Sequence, residues 1–306
     1  MMRSIYLQFV RGDRLGGYMA VGKYKCMLVA FDGSDCSKNA LKQAIKFAES
    51  ETCRVTAVTV LRSSEGEPEL VRVRQSDGSG RSRDHTPINS IKLIVEDKAE
   101  IQTILEEGVI HEAIIDVADK RNCDLIIMGR RVLSRLERAF VGSFTARVIR
   151  YSPIDVLVMP GKAVIAWDTI LFATDGSKYS DIAMDRVLEL ASAHGSALKI
   201  VSVLGASDNL YNELPGAVER MIEHAQENVD VVKRKAEEIG LDAETFIREG
   251  EPHEQIVKLV NELKADAVCM GSHGRTGLER ILMGSVTEKV IEKAKCPVLV
   301  VKQAHV

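Results

Sequence analysis

The chain repeats itself. KCMLVAFDGSDCS (25–37) returns as DTILFATDGSKYS (168–180), EEGVIHEAI (106–114) as REGEPHEQI (248–256), and DLIIMG (124–129) as DAVCMG (266–271). Asp32 and Asp175 stand 143 residues apart, and Gly129 and Gly271 stand 142 apart, so the register barely drifts between the copies. A tandem duplication restricts the fold more than any other feature, because whatever one copy builds must be built twice. At 306 residues the chain is long for one compact unit and comfortable for two. The expected division is an extension over 1–23, a first domain over 24–161 and a second over 166–303.

Each copy alternates short apolar runs with helical patterns. In the second, 170–174 is an apolar run ending in Asp-Gly, hence a strand, and Ala183, Val187, Leu188 and Ala191 then line one helix face. Strands follow over 198–204, 243–247, 267–270 and 298–301. Helices follow over 216–239, 253–263 and 285–294, and Gly240 stands where a helix stop is wanted. Runs such as VLVV, without period-two alternation, belong to strands buried on both faces. The fold class is therefore α/β: two tandem, doubly wound, mostly parallel five-stranded sheets with helices on both faces, Rossmann-like. Such sheets bind ligands beyond the C-terminal strand ends, where strand order reverses. The first copy departs between residues 62 and 87, a Ser-, Gly- and Arg-rich stretch without apolar period that reads as a loop.

The formal net charge of −3 gives no reason to expect nucleic acid or an anionic membrane as partner. The six cysteines show no C-x-x-C pair and no zinc spacing, so a reducing, cytoplasmic setting follows. Cys269 and Cys296 read as small buried hydrophobes. No apolar run approaches the ~18 residues of a membrane span. Residues 1–23 lack a signal-peptide core; they read as a tail, or as a start placed too early with Met19 as the true one. His111 and His253 hold matching helix-start positions and have no second ligand at metal spacing, so no metal site is assigned.

The chemistry concentrates in MGSHGRTGLERILMGSVTEK, 270–289. It leaves the fourth strand at Met270, where a crevice is expected. Glycines let backbone amides approach an oxygen and permit φ > 0, while His273 and Arg275 add donors and charge. At Gly284-Ser285 a helix begins, with free N–H groups at its positive end. Together these make a phosphate cradle. It is neither G-x-x-x-x-G-K-[ST] nor G-x-G-x-x-G.

Here the sequence resembles the universal stress protein family, whose nucleotide-binding members carry G-2x-G-9x-G-[ST]; Gly271, Gly274, Gly284 and Ser285 fit at every position. The resemblance spans both copies, about 25–302. It implies ATP, with or without Mg²⁺, at the C-terminal strand ends of the second domain. By position, Asp175 lies near ribose and phosphates and Val203 offers backbone to adenine. Met270, Gly271, His273, Gly274 and Arg275 line the triphosphate, and Gly284, Ser285, Val286 and Thr287 close the other side. Members also commonly pair their last strands, which here lets 156–159 and 298–301 join the copies within one chain and leaves room for a homodimer.

Taken singly, these residues have plainer readings. Asp175 suits a helix cap, S-V-T-E from Ser285 to Glu288 is a capping box, Val203 suits a strand core, and His273 suits an open loop. Their joint placement reads as a site. In the first copy Gly129, Gly142, Ser143 and Asp32 stand in register, but Val132 replaces the second glycine, leaving Arg130 and Arg131 to compensate by charge. One competent site, in the second copy, is the expectation.

No nucleophile–base–orienter set is visible, so no catalytic residue is assigned. The leading reading is an ATP-binding stress-response regulator with an unidentified protein partner and at most slow hydrolysis or autophosphorylation at Ser285 or Thr287. The alternative is an interaction module that keeps the fold without nucleotide. An ATP pyrophosphatase or nucleotidyltransferase would need S-G-G-x-D-S or H-x-G-H, and the chain has neither.

Overall fold

The protein's structure, a computed structural model, describes residues 24–51, 53–61, 91, 94, 101–130, 143–205, 215–274 and 283–302. The extension 1–23, the segment 62–87, and Arg131, Val132, Gly142, Arg275 and Gly277 lie outside them. The first half runs β1 (Cys26–Ala30), α1 (Asp35–Glu51), β2 (Arg54–Leu61), β3 (Gln102–Glu107), α2 (Ile110–Lys120), β4 (Leu125–Arg130), α3 (Ser143–Tyr151) and β5 (Asp155–Pro160). The second runs β6 (Thr169–Ala173), α4 (Lys178–His194), β7 (Ala197–Leu204), α5 (Pro215–Glu238), β8 (Ala243–Glu249), α6 (Pro252–Leu263), β9 (Ala267–Gly271), α7 (Ser285–Lys293) and β10 (Val298–Val301). Among the described residues no helix is long and apolar enough to cross a membrane.

Local chemistry sets the boundaries. Ser177, extended at φ −78, accepts the Ser180 amide and starts α4, which Gly195 ends at φ 67; the first supplies an acceptor to an orphan donor, the second a left-handed residue without a Cβ. Strands within each half pair in parallel. β5 and β10 then pair antiparallel, with Val156, Leu157 and Val158 opposite Val300, Leu299 and Val298. The two expected sheets are thereby one, in the order β3-β2-β1-β4-β5-β10-β9-β6-β7-β8. Every residue of β5 and β10 is buried, so an open edge here would expose an apolar strand to stray pairing.

Because successive strand residues face opposite ways, the sheet divides its side chains between two layers. Met27, Val29, Leu157, Phe172 and Leu299 pack against α1, α4 and α5. Leu28, Val156, Leu171, Val268 and Val300 pack against α2, α3, α6 and α7. Each layer runs unbroken through both halves. A buried polar knot adds to the join: the Asp155 carboxylate accepts the Tyr24 hydroxyl at 2.9 Å, the Arg186 Nε at 3.1 Å and the Lys302 amide at 2.9 Å. Burial raises the Asp155 pKa against the pull of the Lys302 amide and Arg186, and pushes Lys302 down to about 8.

Candidate functional site

From β6 the chain moves outward through β7 to β8, then crosses back to β9 on the other side of β6. Neighbouring strands whose connections leave in opposite directions open a crevice at their C-terminal ends. The residues after β6 and after β9 meet there.

Asp175 lies two residues past β6. Its Oδ1 accepts the Ser177 amide at 3.1 Å. The capping role open to it in the sequence falls to Ser177 instead. Its other oxygen faces Gly274, where an added Cβ would come within 2.6 Å of Oδ2. Gly274 is not in the left-handed region. The end of the Asp175 carboxylate occupies the side on which a Cβ would stand.

Gly271 has another duty. It is buried, and a Cβ on it would stand 2.7 Å from the Tyr179 carbonyl oxygen and 2.8 Å from its carbon. The first turn of α4 thus rests directly on the end of β9. Gly129 does the same in the first half, its Cβ position lying 2.6 and 2.7 Å from the Cys36 carbon and Ser37 nitrogen. Both glycines serve packing, whatever else Gly271 lines. Met270, also expected at the ligand, is 5% exposed and belongs to the core.

The loop after β9 closes on itself. The Gly284 amide donates to the Ser272 carbonyl at 2.9 Å, so that N–H is already committed. His273 is half-buried, with Nδ1 3.1 Å from the Ser272 hydroxyl and its ring 5.0 Å from that of Tyr179. Lys178 lies 5.0 Å from the centroid of the same tyrosine ring. Tyr179 escaped the sequence reading because it sits in the first turn of α4, far along the chain from this loop; its only signal was its place after the D-G-S turn.

At α7 the N-cap is Gly284, extended at φ −62 and ψ 138, and no side chain caps the helix. Ser285 is therefore the first helical residue, and the expected capping box does not form. Ser285 is exposed and Val286 half-buried. Thr287 is 3% exposed and donates its hydroxyl to the Gly271 carbonyl at 3.0 Å, tying α7 to β9.

Val203 reads two ways at once. It is half-buried against the core. The Val201 carbonyl accepts the Thr174 amide at 2.9 Å, so Val201 directs its backbone toward β6. With period two, Val203 directs its backbone the same way, one step beyond the end of β6. Its amide and carbonyl border the crevice.

The first half keeps the aspartate turn, with Asp32 accepting the Ser34 amide at 2.9 Å. Arg130 does not compensate for Val132. Its guanidinium crosses to the second half and donates to the carbonyls of Glu292 and Ala294 at the end of α7, where helix carbonyls lack partners. His253 is also a packing residue: its Nε2 lies 2.9 Å from the Lys293 ammonium, linking α6 to α7. His111, at the matching place, sets its ring 5.6 Å from that of Tyr151.

Comparison with known proteins agrees with this fold. The chain matches the universal stress protein family over residues 23–160 and again over 166–302. Universal stress protein MJ0531 of Methanocaldococcus jannaschii is 35% identical over 164 residues, covering 52% of this chain and 95% of that protein. MJ0577 of the same organism is 31% identical over 159 residues, covering 46% and 98%. The crystal structure of a universal stress protein from Archaeoglobus fulgidus superposes with a TM-score of 0.61 at 22% identity, covering 91% of this chain and 98% of that one, a likeness of fold. The chain belongs to the universal stress protein family.

Proposed function

We propose that the second half binds an adenine nucleotide, ATP, and that the protein acts as a regulator in a stress response rather than as a turnover enzyme. The observation that carries this reading is the meeting of Asp175 and Gly274 beneath a helix N-terminus that no side chain caps. Anionic phosphates gain from the positive end of α7 and its first amides. The exposed Ser285 hydroxyl and half-buried His273 add donors beside it. Asp175 accepts from ribose hydroxyls; beside the phosphates a carboxylate is tolerated when Mg²⁺ accompanies ATP and lies between them. The free edge at Val203 suits the adenine, whose ring nitrogens and amino group need backbone partners. Thr287 being committed to Gly271, Ser285 is left as the hydroxyl for any phosphate transfer. A cytoplasmic setting, self-association and a protein partner sensitive to the bound nucleotide belong to the same reading.

Mass spectrometry of small molecules released from the purified protein tests it. An adenine nucleotide is expected from wild type and its absence from Asp175→Ala, with both proteins folded by circular dichroism. No nucleotide in the wild-type extract, together with no heat on titration with ATP, ADP or AMP, overturns the reading.

A further inference from the structure

The first half contains a thiol pair with no counterpart in the second. Cys26 in β1 and Cys123 just before β4 place their Sγ atoms 2.9 Å apart, about 0.9 Å beyond the length of a disulfide bond. The backbones beneath them are pinned. The Asp124 amide donates to the Cys26 carbonyl at 3.0 Å. The Asp124 carboxylate accepts the Lys25 and Cys26 amides at 2.8 and 3.0 Å. Thr169 and Ala265 occupy the matching positions in the second half, so the fold does not itself require the pair.

Access and reactivity favour these two sulfurs. Cys26 is 1% exposed and Cys123 6%. Cys123, however, lines a pocket of about 250 Å³ together with Ala118, Asp119, Asn122 and Pro153, roomy for a molecule little larger than water. The hydrogen bond from Cys123 brings the Cys26 thiol down to about 7 against the opposing effect of burial. Its hydrogen bond to Cys26 and its burial push the Cys123 thiol the other way, up, so the negative charge rests on Cys26, 2.9 Å behind the pocket wall that Cys123 forms. Nearby Cys53 is different, its thiol pushed up to about 12 by burial, and thiolate character governs oxidation.

We propose that Cys26 and Cys123 form a reversible disulfide when a hydroperoxide enters this pocket. The thiolate of the pair attacks the peroxide, an S–O bond forming as the O–O bond breaks. The departing oxygen takes the proton of the second thiol and leaves as an alcohol, or as water from hydrogen peroxide. The second sulfur, now a thiolate, displaces hydroxide from the sulfenic acid; the S–S bond forms, the S–O bond breaks, and the hydroxide takes up the proton lost at the first ionisation. Two thiols and one hydroperoxide thus give a disulfide, an alcohol and a water. The bridge spans a separation of 97 positions, enclosing α1, β2, β3 and α2, and such cross-links restrict the unfolded chain.

The test is brief treatment of the folded protein with hydrogen peroxide, alkylation, and peptide mass spectrometry without reductant. Titratable thiols in denaturant are expected to fall from the six of the sequence to four, with a Cys26–Cys123 peptide that dithiothreitol dissolves and a raised melting temperature before reduction. Cys26→Thr and Cys123→Ala, which copy the second half's own residues, are expected to fold and to lack that peptide. Six surviving thiols in wild type, a bridge between any other pair, or a Cys26–Cys123 peptide only in unfolded protein would each overturn the proposal.

Discussion

In the second half Asp175 and Gly274 face each other across the crevice, the glycine lacking the Cβ that would come within 2.6 Å of the carboxylate. In the first half Asp32 stands in register and makes the same turn, yet Val132 occupies the place of Gly274. In the second half any Cβ at that place would compete with the aspartate for one volume. Arg130, at the end of β4, reaches across to the end of α7. Gly129 and Gly271, by contrast, serve identical contacts in both halves. Duplication has kept the glycines that packing needs, while the glycine that lets a carboxylate into the crevice stands in the second half.

The largest effect should come from where the halves differ most in how they are joined. Asp155 gathers three donors, whereas Pro297 holds the matching place in the second half. Asp155→Ala leaves buried donors without a partner and should cost about 3–5 kcal/mol in urea denaturation. A loss below ~1 kcal/mol, the range of an exposed pair, would show that this knot does not hold the halves.

Next come the shared glycines. Gly271→Ala and Gly129→Ala each force a methyl against helix backbone, which should cost about 1–3 kcal/mol, and the two losses should be similar. A neutral Gly129→Ala beside a damaging Gly271→Ala would mean that Gly271 serves something beyond packing.

The smallest effect concerns His253. Burial first, and then the charges of Lys293 and Lys289, hold its pKa below the usual value. The unfolded chain takes up a proton near pH ~6.5 that the folded chain resists, so the histidine's contribution is full above that value and declines as pH falls through the folded pKa. Melting temperatures between about pH 7 and 5.5 should therefore fall more for wild type than for His253→Gln. Equal slopes would remove the Lys293–His253 contact from the account.

Much of this could be read from residues in order. The duplicated segments, the element sequence, Gly240 after α5 and the apolar runs that become β5 and β10 all carry local periodicity or stop signals. The site was harder, because its parts come from distant loops. G-S-H-G gives no sign that its first glycine also rests against the Tyr179 carbonyl, 92 positions earlier. S-V-T-E has the spacing of a capping box, but the helix begins one residue early, at a glycine whose own amide closes the loop. Arg130 could not be assigned locally because its acceptors lie in the other half.

Calorimetric titration with ATP of the wild-type chain beside Gly274→Val, a change that installs the first half's own residue, tests the central claim most directly. The account predicts one site per chain in wild type and none in the variant, with folding retained. Two equivalent sites in wild type, or undiminished binding by Gly274→Val, would contradict it.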